Sequence, residues 1–158
     1  MLLLILIVVT GVSSSLLAYL LERRTKPALK FGKVSKNNEP AYFIDIIKKK
    51  GQVKAKSCEG WLDIENTNVT HAPTVWAHEN QRLYDIGDFM ALRLFRLSKD
   101  NISIFFPVAH ITQDYIENEH PLEQFRNRIL KITVNMDNGR SIYYHKTIRE
   151  IIEEGNRP

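Results

Sequence analysis

The densest cluster of ligand-type side chains in this 158-residue chain is the stretch DYIENEH, which places Asp114, Glu117, Glu119 and His120 within seven residues. Carboxylates and an imidazole at close spacing are the donor types of a divalent-cation site, but the segment has no established ligand-loop geometry. It reads as a solvated acidic loop, because charge clusters ordinarily lie in water. Cys58 stands beside Glu59, a nucleophile and a base by type. A thiol nucleophile needs a histidine at hand, and the five histidines (71, 78, 110, 120 and 145) are scattered along the chain. A lone cysteine in a strand packs as a small hydrophobe.

The chain contains no glycine-rich phosphate loop, no Gly-x-Ser-x-Gly elbow, no His-Glu-x-x-His and no paired cysteine motif. No catalytic, cofactor-binding or metal-ligating residue is therefore assigned, no cofactor is expected, and the expected function is non-enzymatic. Trp61 and Trp76 carry the largest apolar side chains. Tryptophans of this kind are core residues by default; lying exposed beside the extended loop 107–128, either would be a partner-binding anchor.

Charge supplies a second set of candidates. Residues 22–56 hold eleven Lys or Arg against Glu22, Glu39 and Asp45, a net +8, whereas residues 57–158 hold eleven against fifteen, a net −4. Arg23, Arg24, Lys26, Lys30, Lys33, Lys36, Lys48, Lys49 and Lys50 are candidate membrane-surface contacts, each able to contribute ~1 kcal/mol near an anionic leaflet. Solubilising a linker and a hairpin tip is the competing role for the same lysines. No nucleic-acid motif accompanies the patch and no aromatic residues interleave with Lys48 to Lys50, so nucleic acid is not an expected partner.

The elements that position these residues begin with an apolar run. Residues 1–21 carry no ionisable side chain except Tyr19, and 21 residues make a helix of roughly 31 Å, enough to cross a bilayer. A transmembrane helix over 1–21 is expected, then a basic juxtamembrane linker and first strand over 22–40, then a β-sandwich domain over 41–158. A cleaved signal peptide would need a basic leading segment, which is missing. The positive flank after the span predicts a single-pass protein with its N-terminus outside and its domain in the cytoplasm. The unpaired Cys58 agrees, while the sequons at Asn68 and Asn101 would suit an exported domain instead.

Beyond the linker the pattern is one of short strands. Tyr42, Ile44 and Ile46 alternate with Phe43, Asp45 and Ile47, and the run 52–64 shifts register near Ser57 to Gly60, which predicts a bulge. Strands are also expected over 28–34, 74–79, 89–97 and 101–107, and two alternating runs around Asp137-Asn138-Gly139 predict a hairpin. Thr147 and Glu150 form a capping-box pair ahead of Ile148, Ile151 and Ile152, predicting a short C-terminal helix. Mainly β structure in an antiparallel sandwich of about 7–9 strands is the fold class that follows.

The stretch YFIDIIKKKGQVKAKSCEGWLDI, followed by TVWAHENQRLYDIGDFMALRLFRL, resembles strands B and C and the next segment of immunoglobulin-like modules. These are the modules attached to single N-terminal membrane helices in prokaryotic, especially archaeal, proteins. The resemblance spans residues 41–107 and implies an immunoglobulin-like sandwich without an assigned activity. The paired cysteines and central tryptophan of antibody domains are absent, so no antibody-type function comes with it. The functional expectation is a membrane-tethered protein-interaction or accessory module, with the lipid bilayer and an unidentified protein as partners. An exported cell-envelope module, or an enzyme with an unrecognised site, are the alternatives.

Overall fold

The computed structural model describes residues 14–22, 24–77, 81–109 and 115–158. Helical residues 14–22 and 24–25 form α1. Among the described residues ten strands follow: β1 (Ala28–Lys36), β2 (Ala41–Lys50), β3 (Ala55–Ile64), β4 (Ala72–Pro73), β5 (Leu83–Ile86), β6 (Phe89–Leu97), β7 (Ser103–Ala109), β8 (Tyr115–Pro121), β9 (Ile129–Asn135) and β10 (Ile142–Thr147). Two short helices, α2 (Leu122–Phe125) and α3 (Ile148–Gly155), complete the set.

Pairing is antiparallel throughout. The first sheet runs β1-β2-β6-β7-β8; in the second, β10-β9-β3-β4, strand β5 also pairs with β3. Alternation explains which face of each strand turns inward. Tyr42, Ile44 and Ile46 of β2 are fully buried, as are Leu130, Ile132 and Val134 of β9, while their alternate neighbours reach towards water. Both inner faces contribute to a single apolar cluster, so the arrangement is mainly β and compatible with a β-sandwich.

At Gly60 the sheets approach so closely that a Cβ would lie 2.7 Å from a Leu92 methyl and 2.9 Å from the Thr74 methyl. Residues 72–77 exploit that closeness. Ala72 and Pro73 pair with β3, whereas Trp76 bridges to Leu92 of β6, so one short segment leaves the second sheet and joins the first. Buried Thr74 fastens the crossing: its N–H donates to the Gly60 carbonyl at 2.9 Å and its hydroxyl to the Arg93 carbonyl at 2.5 Å.

Three expectations need correction. The transmembrane helix over 1–21 is not supported, because among the described residues no helix is long and apolar enough to cross a membrane. Residues 1–13 lie outside the described residues; the nine residues 14–22 rise roughly 14 Å, about half a hydrocarbon core. The last turn of α1 is closed by the Glu22 carbonyl, which accepts from the Lys26 N–H at 3.0 Å, just before Pro27. With the span go the single-pass and membrane-tether expectations that depended on it.

The immunoglobulin-like assignment is also corrected, to two five-stranded antiparallel sheets. In an immunoglobulin sandwich the strand D that flanks E precedes it in the chain. Here β7 and β8, which follow β6, occupy that side of the sheet. Finally, the acidic stretch after residue 114 is not a loop. Tyr115–Pro121 forms β8, paired with β7 from Ser103↔Pro121 to Ala109↔Tyr115.

Candidate functional site

The outer face of the second sheet gathers more aromatic, imidazole and guanidinium groups than the residue spacing suggested. On β3, Glu59, Trp61 and Asp63 point outward between buried Cys58, Gly60, Leu62 and Ile64. Register extends this line into rows. Tyr143 of β10 lies opposite Thr133 of β9, which lies opposite Trp61, which lies opposite Pro73 of β4. The next row runs His145, Lys131, Asp63, and a third runs Asn135, Glu59, Leu83.

Trp61 is held at the centre of these rows. The His71 ring stacks on it at 4.1 Å between centroids and 15° between planes, and the Arg82 guanidinium carbon lies 5.0 Å from its ring centre. Each clamp has its own anchor on β3. The His71 backbone N–H donates to the Asp63 carboxylate at 2.6 Å, and Arg82 pairs with Glu59. Asp63 and Glu59 lie on either side of Trp61 along the strand, so His71 and Arg82 reach the indole from anchors on its two sides. Lys131 in turn pairs with Glu65 at 2.7 Å. Two cations of the face, Arg82 and Lys131, are thus matched by its own carboxylates, and exposed Leu83, His145 and, at 72% exposed, Tyr143 lie around them.

Trp76 has the opposite fate. It is fully buried, and its indole N–H donates to the carbonyls of Cys58 at 3.0 Å and Arg82 at 3.2 Å, which makes it a core residue and removes it as a surface anchor. Cys58 is buried as well. Burial pushes its thiol up to about 11, against the opposing effect of a backbone hydrogen bond at Ile86, with Asp85 and Asp137 adding to the rise. A thiol so raised is not an activated nucleophile.

The basic residues do not converge on one patch. Arg23 lies outside the described residues, and Arg24 is exposed. Lys26 pairs with Glu22 at 2.6 Å. The β1–β2 register brings Lys30 beside Ile47 and Leu29 beside Lys48, so Lys30 shares an end of the sheet with Lys48, Lys49 and Lys50. Lys33 is exposed further along β1. Lys36 sits opposite Tyr42, six residues or roughly 20 Å from Lys30, and donates to the Asn156 side-chain oxygen at 3.0 Å.

Strand alternation also dissolves the DYIENEH cluster. Asp114 lies outside the described residues. Glu117 and Glu119 share one face of β8, and His120 turns to the other, against Phe106 and Phe125 at 5.9 and 4.9 Å. Among the described residues no group of three His, Cys, Asp or Glu side chains is arranged to hold a metal ion. A cleft of about 710 Å³ opens where α1 meets the start of β1 and the β9–β10 turn, with Tyr19, Glu22, Lys26, Asp137 and Arg140 on its walls. Charges of both signs line it.

Sequence reasoning found Trp61 and missed its surroundings. His71 and Arg82 reach it through their partners Asp63 and Glu59, and Leu83 joins the face by pairing opposite Glu59, contacts for which the local sequence carries no signal. Tyr143 was within reach, since the hairpin register around Asp137 to Gly139 already sets its outward direction. Comparison of the chain with known protein families, with characterised proteins and with solved structures finds no match.

Proposed function

We propose that this chain is a non-enzymatic protein-interaction module and that it docks a protein partner on the outer face of the second sheet. The observation that carries this reading is the clamped Trp61 between His71 and Arg82, in rows with exposed Tyr143 and Leu83. Aromatic and arginine side chains dominate binding energy at protein interfaces, and side chains already held in place lose little entropy on docking. Arg82 pairs with Glu59 and Lys131 with Glu65, and the Asp63 carboxylate is occupied by the His71 N–H, so the face meets a partner with its charged groups already engaged.

A photo-crosslinking amino acid placed in the full chain at position 143 or 83, in the cells that make the protein, tests this. Both positions should capture the same discrete protein, and a probe at Lys30 should not. Trp61→Ala should abolish the capture while leaving the far-ultraviolet circular dichroism unchanged. Capture that is independent of probe position, or that survives Trp61→Ala, would overturn the proposal.

A further inference from the structure

On the opposite side of the molecule, two arginines of β6 converge on one acid. Glu117 of β8 accepts from Arg96 at 2.6 Å and from Arg93 at 3.3 Å. Arg93 also donates to the Tyr115 hydroxyl. The side chains are largely covered, with 11% of Arg93, 29% of Arg96 and 21% of Glu117 exposed. Aromatic rings wall the pair: Phe105 lies 4.1 Å from the Arg96 guanidinium and Tyr115 lies 4.7 Å from that of Arg93. Phe43 stands opposite Arg93 on β2.

Donors and charge are both in surplus at this spot. Among the described residues no acceptor meets the buried Arg93 Nε or Nη1 of Arg96. Among the described residues two guanidiniums face one carboxylate, an excess of one positive charge in contact. Glu39 attracts Arg96 only from a distance, and Glu119 lies on the same face of β8 without pairing to either arginine. A guanidinium fork matches a planar carboxylate, and covered charged groups gain most from complete pairing.

We propose that Arg93 and Arg96 form a binding site for a carboxylate, offered by an acidic side chain of a peptide segment in a protein partner. A single carboxylate brings the cluster to neutrality. A phosphate dianion would leave it negative beside Glu117. The aromatic walls fit the methylene stem and neighbouring residues of a peptide better than they fit a free ion. This site is separate from the Trp61 face, so either assignment can fail alone.

The test is a titration of the full chain, following the arginine Nε–H signals by nitrogen-15 magnetic resonance, assigned with Arg93→Lys and Arg96→Lys. The probes are acetyl-Gly-Glu-Phe-Gly-amide, its Gln counterpart, acetate and inorganic phosphate. The Glu peptide should shift both signals saturably and bind about tenfold or more tighter than the Gln peptide, acetate or phosphate. Arg96→Gln should weaken it by about tenfold. Glu117→Gln should tighten it, because the competing carboxylate is gone. That last sign separates a binding site from a strand-to-strand latch, and it remains readable if Arg96→Gln does not fold. Equal binding of the Glu and Gln peptides, tighter binding of phosphate or acetate, or no tightening in Glu117→Gln would overturn the proposal.

Discussion

The Trp76 indole N–H donates to the carbonyl of Cys58, 3.0 Å away, and so ties the segment that crosses between sheets to the strand it has just left. Trp76→Ala should remove a fully buried ring and its hydrogen bonds together. A loss of about 3–5 kcal/mol is expected, measured by urea unfolding, with the slope of the transition unchanged. Trp61→Ala, at the half-covered surface, should cost about 1 kcal/mol.

Neighbouring residues of β9 should respond in opposite ways to the same charge. Ile132 is 1% exposed, and Ile132→Asp should prevent folding by burying an unpaired carboxylate. Lys131 is exposed and pairs with half-buried Glu65 at the surface, so Lys131→Asp should cost less than about 1 kcal/mol. Thermal melts of the two variants read the contrast directly.

At the start of α3 the Thr147 hydroxyl accepts from the Glu150 N–H at 3.2 Å, and the Glu150 carboxylate accepts from the Thr147 N–H at 2.8 Å. The Thr147 N–H, and second to it the Thr147 hydroxyl donating at 2.8 Å, hold the Glu150 carboxyl below its ordinary value of 4.5. A group lowered on folding stabilises above its unfolded value, and that contribution is lost as pH falls through the folded one. Thr147→Ala should cost about 1 kcal/mol at neutral pH. Glu150→Gln should flatten the acid limb of stability below pH 4.5, followed by circular dichroism of the C-terminal helix.

The buried Cys58 thiol should resist modification. With its value near 11, roughly one molecule in a thousand carries the thiolate at pH 8, before burial blocks the reagent. An aromatic disulfide reagent should label native protein slowly and denatured protein at once. Fast labelling of the native state would contradict the buried placement.

How much could be read in advance depends on the range of the interactions involved. Tyr42, Ile44 and Ile46 announced β2 because a period of two is local, and Thr147 with Glu150 announced α3 because a capping box spans four residues. The bulge expected near Ser57 appears as a register shift between Ala55 and Cys58, with Ser57 at φ 50°. β8 escaped because Glu117, Asn118 and Glu119 carry no apolar alternation; a strand at the edge of a sheet is stabilised by backbone pairing and tolerates charge on both faces. Of the strand expected over 74–79, residues 74–77 carry only a single bridge at Trp76, because the segment leaves the second sheet at β4 for the first; residues 78 and 79 lie outside the described residues. At the candidate site Trp61 was legible as a large side chain, but its clamps arrive from residues ten and twenty-one positions away, at His71 and Arg82.

Gly51 has a consequence for how the chain enters the domain. Its φ of +105° lies where side chains strain, and a Cβ there would meet the Lys26 carbonyl at 2.6 Å and the Pro27 Cα at 2.7 Å. The turn after β2 therefore packs directly against the backbone where the chain enters β1. A methyl group at position 51 has no room there, so Gly51→Ala must displace either the turn or the backbone of Lys26 and Pro27.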